Sequence, residues 1–178
     1  MKIAIAGSEI IDRGHAYVPQ MRALVGNNLI ASPGARAVIR RRSGAEEVLL
    51  HRRRDFGVWA LPAGSPLIGE SILDCLRREV FEETDLRVAA WRCFGFSSDP
   101  VREIVRYPNG DVLHCYSLLF EVELEDEALD GVDMSRIAAE TTALRWFALN
   151  DPPDMIDNHR WSLDSYIGFL SDGVFRVS

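Results

Sequence analysis

The chain has 178 residues, 47 % of them hydrophobic and 26 % charged, which is enough apolar material for one good core and, by length, for a single domain over 1–178. A formal net charge of −7 argues against general nucleic-acid binding and against attraction to anionic membranes, and no apolar run reaches membrane-spanning length.

The first residues carry one lysine, a brief apolar stretch and early acids at Glu9 and Asp12, a pattern unlike a signal peptide, so the cytoplasm is the expected location. Residues 1–30 read as an extension containing a short helix over 16–25 that ends near Gly26, serving either as a cover on the domain or as a contact in a homodimer. Strands are expected over 36–42 and 47–53 around a Ser43-Gly44 turn, followed by a loop over 55–69. A helix runs over 71–84, with Ser71 as its cap and Asp74 in its first turn. Further strands fit 87–96, 101–107 and 111–123, the last two joined at Pro108-Asn109-Gly110, where Asn-Gly is a strong hairpin signal. An acidic loop over 125–133, a strand over 143–147 and a helix over 158–170 complete the chain, the last lying in a C-terminal helix and tail over 151–178. No repeat or low-complexity tract marks a second domain. Strands around one helix with another packed behind make an α+β sandwich. Cys75, Cys93 and Cys115 are an odd number in no metal-ligand spacing and read as reduced packing residues.

Residues 64–86, GSPLIGESILDCLRREVFEETDL, carry the chemistry. With Ile72 set at zero on a helical wheel, Leu76, Val80 and Leu73 fall at roughly 40°, 80° and 100°, and Glu83, Glu79 and Glu82 at roughly 20°, 340° and 280°. The acidic stripe therefore borders the apolar one, whereas a solvated face would put its charge opposite the core. Arg78, near 240°, flanks Glu82 and can brace it. Glu79 and Glu83 are like charges four residues apart, a pairing that a bound cation turns from repulsive to attractive. Clustered carboxylates after a tight turn are what a divalent-metal site for phosphate chemistry requires, and Glu79, Glu82 and Glu83 are the expected ligands because Mg²⁺ or Mn²⁺ prefers hard oxygen donors. Glu70 either touches metal through water or locks the loop to the helix.

The segment resembles the Nudix hydrolase box: glycine, five residues, glutamate, seven residues, then Arg-Glu-aliphatic-x-Glu-Glu-x-Gly-aliphatic. Gly64, Glu70, Arg78, Glu79, Val80, Glu82, Glu83 and Leu86 stand in register, and Asp85 replaces the family's glycine just past the helix. Aspartate tolerates the left-handed conformation expected there better than most residues. Trp59-Ala60-Leu61-Pro62-Ala63-Gly64 is similar to the family's Trp-x-x-Pro-Gly-Gly, and Arg145-Trp146-Phe147 to its closing strand, so the likeness extends over roughly 30–150. It implies a Nudix-like α/β/α sandwich with a mixed sheet and a catalytic loop-helix. It also implies a Gly64 carbonyl ligand, and an additional base or ligand at Glu140 ahead of the closing strand.

Alternation sends Arg52 and Arg54 to one face of their strand and Arg53 to the other. One of the three is a candidate for neutralising a substrate phosphate, with a solvated charge run as the competing role, and Arg52 and Arg54 are the expected substrate contacts. Phe56, Trp59 and Tyr107 are candidates for stacking on a base, with core or rim packing as the competing role, while His51 and His114 read as strand residues. The implied reaction is metal-dependent hydrolysis of a pyrophosphate bond in a nucleotide-derived small molecule. Pro100, fourteen residues past Leu86, lies near where family members that cleave ADP-ribose carry a proline, which favours ADP-ribose or another nucleoside diphosphate sugar. A housecleaning nucleoside triphosphate pyrophosphohydrolase and a non-catalytic nucleotide-sensing domain are the alternatives. The complete glutamate set argues against the second.

Overall fold

A computed structural model describes residues 15–41, 46–129, 131–137 and 139–178, so the turn expected at Ser43-Gly44 lies outside the described residues. In chain order the elements are α1 (Tyr17–Val25), β1 (Ile30–Arg40), β2 (Glu47–Arg53), β3 (Trp59–Ala60), β4 (Ala63–Gly64), α2 (Ile72–Thr84), β5 (Val88–Ser97), α3 (Pro100–Glu103), β6 (Ile104–Arg106), β7 (Val112–Leu124), α4 (Met134–Ile137), β8 (Thr141–Ala148), α5 (Asp157–Asp172) and β9 (Arg176–Val177). The strands form one mixed sheet in the order β3-β2-β1-β7-β5-β9, with β4 added to β1, β6 to β7 and β8 to β2. At its centre β1 and β7 run parallel, from Ile30 opposite Leu113 to Ile39 opposite Val122.

Both faces of this sheet are covered, which is why its central strands read as apolar runs and not as alternating ones. Ala35, Ala37 and Ile39 of β1 join Phe120 and Val122 of β7 beneath Cys75, Leu76 and Val80 of α2. Val38 of the same strand turns the other way, with Leu50 and Leu119, toward Leu163, Tyr166 and Phe169 of α5. The period-two geometry of a strand thus builds two cores from one sequence. The result is the α/β/α sandwich expected from the sequence.

Several elements differ from the sequence reading: β3 and β4 lie in the expected loop over 55–69, α4 and β9 have no expected counterpart, and two further differences bear on the site. Strand β1 starts at Ile30 and passes through Pro33-Gly34, which look like turn residues. Over 30–34 it is paired only with β7, so the missing proline N–H is lost from an edge that bonds to nothing in the sheet. That bare edge becomes one wall of a cleft. Residues 100–103 form a helical turn instead of a strand, because the Asp99 side chain accepts from the Val101 amide at 2.9 Å and Pro100 occupies the first helical position.

Helix α2 begins as expected, with Ser71 Oγ accepting from the Asp74 amide at 3.2 Å, and ends at Asp85 in the left-handed region, φ 57°. The aspartate has partners that a glycine would lack: its carboxylate accepts from the Asp133 amide at 3.1 Å and from Arg136 at 3.3 Å, tying the helix end to the α4 loop. These bonds offset the roughly 1–2 kcal/mol of left-handed strain. Helix α5 is pinned to the sheet by a buried ion pair. Arg36 of β1 donates twice to Glu103 at 3.0 Å, and also to Ser162 Oγ at 2.7 Å and the Asn158 carbonyl at 3.1 Å. Glu103 further accepts from Ser97 Oγ and, at 3.0 Å, from Asn158 Nδ2. Among the described residues no helix is long and apolar enough to cross a membrane.

Two histidines are buried neutral. Burial holds His51 down at about 3 and His159 well below the ordinary imidazole range, the nearby arginines adding to both. Because the unfolded chain binds those protons near pH 6.5 and the folded chain does not, stability is complete above that pH and falls as the pH drops toward the folded values. The two histidines therefore contribute a loss of stability as the pH falls from 7.5 to 5.5, which the raised carboxyls of Glu83 and Glu79 oppose by binding protons more readily in the folded chain. In His159→Asn, whose side-chain oxygen can take the place of the ring Nδ1 that accepts from the Leu61 amide at 3.1 Å, melting measured at pH 7.5 and 5.5 should show stability falling less, or rising more, than in the wild type. The same pH dependence of melting in the two proteins would contradict the neutral assignment of His159.

Candidate active site

The short strand β4 is antiparallel to β1, with Gly64 opposite Ala35, and this places the β4–α2 loop over the cleft. A side chain at Gly64 would displace Glu79. A Cβ there would fall inside the Glu79 carboxylate, so the helix side chain occupies the space that a side chain at 64 would need.

Arg78 organises the acidic face of α2. Its guanidinium holds Glu70 with two bonds, at 2.9 and 2.8 Å, and reaches Glu79 at 2.7 Å, Glu82 at 3.0 Å and the Ser65 carbonyl at 3.0 Å. Glu70 also accepts from the Leu67 amide at 2.8 Å, and its pairing with Arg78 lowers its pKa. Glu70 therefore fastens the loop to the helix, and Arg78 orients the glutamates.

Glu83 is the least ordinary of the acids. It is 2 % exposed, as its wheel position inside the apolar stripe requires, and one oxygen accepts from the Ala63 amide at 2.9 Å. The other, Oε1, has no hydrogen-bond partner, and Arg53 stands 3.9 Å from it. Burial, with Glu79 second, pushes its carboxyl well above the usual range; burial likewise raises Glu79. Behind Glu83, Thr141 donates its hydroxyl proton to the Glu83 carbonyl at 3.0 Å and so accepts from His51 Nδ1 at 2.9 Å. That fixes the tautomer and turns the lone pair of His51 Nε2 toward Glu83 Oε2, 3.6 Å away. His51 is thus a buried backing residue. His114 lies elsewhere, against the Ser98 carbonyl at 2.8 Å.

Among the described residues no three acidic, histidine or cysteine side chains already stand gathered as a metal site, since Arg78 draws Glu79 and Glu82 to itself. The donors nevertheless suit a hard divalent cation: carboxylate oxygens only, one of them buried and unpaired, and two carboxyls raised by burial and mutual repulsion. Cys75, Cys93 and Cys115 are free thiols outside this set.

A narrow cleft lies beside these acids, against the open edge of β1, and Arg36, Arg53, Phe56, Tyr107, Asn158 and Ser117 are among its lining residues. The strand alternation holds, but the arginine facing the cleft is Arg53. It bonds Asp55 through two nitrogens at 2.9 and 2.8 Å, lies over the Phe56 ring at 5.6 Å, and is held above its ordinary pKa by Asp55 and Glu83 against the opposing effect of burial. Arg52 is exposed on the far face and donates to the Gly57 carbonyl at 3.0 Å. Arg54 is exposed too, at a second depression shared with Glu140, whose carbonyl accepts its amide at 2.8 Å. Phe56 and Tyr107 share the cleft with ring centres 5.4 Å apart. Trp59 is a packing residue, edge-on to Phe147 at 4.7 Å in the core beneath α5. Glu140 is exposed and borders a depression with Glu79, Glu82 and Glu83.

A family model described as the NUDIX domain matches residues 31–166, so α1 precedes the matched region. None of the curated proteins matches the chain. Among solved structures the chain is similar to an ADP-ribose pyrophosphatase from Streptococcus suis, at 22 % identity over 83 % of this chain and 98 % of that one, with a TM-score of 0.60. It is similar to the NUDIX domain of Shewanella oneidensis NrtR complexed with ADP ribose, at 17 % identity over 79 % and 89 %, with a TM-score of 0.61. It is also similar to a MutT NUDIX hydrolase from Burkholderia pseudomallei, at 24 % identity over 76 % and 98 %, with a TM-score of 0.53. At these identities the likeness is one of fold.

Proposed function

We propose, because this chain belongs to the Nudix hydrolase family, that it hydrolyses the pyrophosphate bond of a nucleoside diphosphate sugar such as ADP-ribose, giving a nucleoside monophosphate and a sugar phosphate. The observation that carries this reading is the buried, unpaired Oε1 of Glu83 beside Glu79, with the fixed charge of Arg53 across from it at the mouth of an aromatic-walled cleft. Anionic donors for a cation and a cationic donor for phosphate meet at one place.

Glu79, Glu82, Glu83 and the Gly64 carbonyl are the residues that would hold a divalent cation, magnesium or manganese. Bound there, such a cation supplies neutralisation of the phosphate oxygens and a more acidic water. Arg53 pairs with a non-bridging phosphate oxygen and aligns the diphosphate for in-line attack. Arg78 keeps Glu79 and Glu82 in register, and Glu70 keeps Arg78 in place. Glu140, on the rim, takes the proton of the attacking water on its carboxylate. The new bond forms between water oxygen and phosphorus, and the bond from that phosphorus to the bridging oxygen breaks. Phe56 and Tyr107 stack on the base, a reading supported by their place in the cleft.

Hydrolysis of ADP-ribose in ¹⁸O-labelled water with magnesium tests this. Label is expected in a phosphate product, and chelation is expected to stop turnover. Label on the sugar carbon, or activity surviving exhaustive chelation, would overturn the mechanism. Release of pyrophosphate from triphosphates alone would keep the mechanism and replace the substrate.

A further inference from the structure

The catalytic cleft has a second chamber, and its outer wall is made by residues ahead of the Nudix domain. A depression of about 270 Å³ is lined on one side by Arg53, Gly64, Glu79 and Tyr107 and on the other by Tyr17 and Pro19. Arg53, Gly64, Ser65 and Tyr107 also line the inner cleft, so the two spaces meet at the residues that attract phosphate and cation. The wall is fastened to the domain at both ends. Ala16 bridges to Leu67, and the Ile68 amide donates to the His15 carbonyl at 2.9 Å. At the other end Arg22 donates to the carbonyls of Gly26 at 2.8 Å, Asn28 at 2.6 Å and Val112 at 2.8 Å, and pairs with Asp111 at 2.9 Å.

We propose that Tyr17 is a substrate-contacting residue whose ring packs against the sugar of a nucleoside diphosphate sugar. This rests on the pyrophosphatase reading given above. With its phosphates at the junction, a diphosphate bearing two organic groups must extend in both directions. The inner chamber has the Phe56–Tyr107 pair and the polar side chains of Asn158 and Ser117, which suit a base. The outer chamber has the Tyr17 ring and the Asp111 carboxylate in its lining, which suit the face and the hydroxyls of a sugar. A triphosphate has no second organic group and leaves this chamber without a ligand. Selection between the two substrate classes therefore falls to residues outside the catalytic domain.

The test uses the full chain and two substrates, ADP-ribose and the β-methyl ester of ADP, which keeps the diphosphate but has a methyl group in place of the sugar. Tyr17→Ala is expected to raise KM for ADP-ribose about 10-fold with kcat within twofold, and to leave KM for the methyl ester unchanged. Tyr17→Phe keeps the ring and should stay within threefold on both. Arg22→Ala, which unfastens the wall without touching substrate, should reproduce the selective rise in KM and serves if Tyr17→Ala does not fold. An unchanged KM for ADP-ribose, or an equal loss on both substrates, overturns the contact while leaving the pyrophosphatase reading intact. A wild-type protein inert toward both diphosphates overturns that reading, and the contact with it.

Discussion

Glu83→Gln is expected to remain folded and to lose about 10²- to 10³-fold in kcat/KM, which corresponds to the several kcal/mol of transition-state stabilisation a metal site supplies. Glutamine keeps an oxygen to accept from the Ala63 amide, so the loop stays attached to the helix. What it removes is the charge on an oxygen that has no hydrogen-bond partner and only Arg53, 3.9 Å away, as a counter-charge. Burial and Glu79 both oppose that charge, so the variant's melting temperature in chelator should equal or exceed that of the wild type, a site that costs stability to keep its function. Steady-state kinetics at limiting magnesium and melting in chelator provide the check. Activity within fivefold of wild type would remove Glu83 from the site, and a fall of more than about 5 °C would mean that its charge stabilises the fold.

The largest stability loss is expected at Arg36. Both members of the Arg36–Glu103 pair are buried, and removing one leaves a charge without its partner, a loss of about 3–5 kcal/mol. Arg36→Met should therefore lower the melting temperature by about 10 °C in a chain of this size. Adding Glu103→Leu should recover much of it, because the pair together also carries a desolvation cost. Burial raises the Glu103 carboxyl, but the Arg36 bonds and charge prevail and hold it below the usual range. Its contribution is present above the ordinary carboxylate range and is lost as pH falls through the folded value. A double-mutant cycle in denaturant measures the coupling. Strictly additive losses would show that the pair acts only through packing.

The acidic helix was fully legible because its evidence is local: a 3.6-residue period, a serine cap and a fixed spacing of charges within 23 residues. Even the burial of Glu83 was written in its wheel angle. The arginine facing the cleft was half legible, since alternation separates Arg53 from Arg52 and Arg54 but does not say which face the sheet will present. Trp59 could not be assigned, because a ring beside a catalytic loop and a ring in a core look alike until Phe147 is brought next to it. The helical turn at residues 100–103 had a signal, Asp99-Pro100, that the strand pattern around it obscured. The helix over 16–25 and its role as a cover were legible, but the Arg36–Glu103 pair and the place of Tyr17 at the cleft left no trace, because each depends on contacts between residues tens of positions apart.

The parallel pairing at the centre of the sheet also sets an order of events. Ile30 and Leu113 are partners roughly eighty residues apart, and the catalytic helix lies inside the loop that their meeting closes. A chain leaving the ribosome therefore carries every box residue before it can close the sheet beneath them. Until β7 has emerged, the acidic helix lacks Phe120 and Val122 beneath it and the cleft lacks a floor. Late closure of distant strands is slow, and it leaves an amphipathic helix and unpaired strand edges exposed in the interval. The clustered glutamates carry net negative charge on that helix during the same interval, and their mutual repulsion resists premature association. The acidic face of the helix thereby protects the chain before the sheet beneath it has closed.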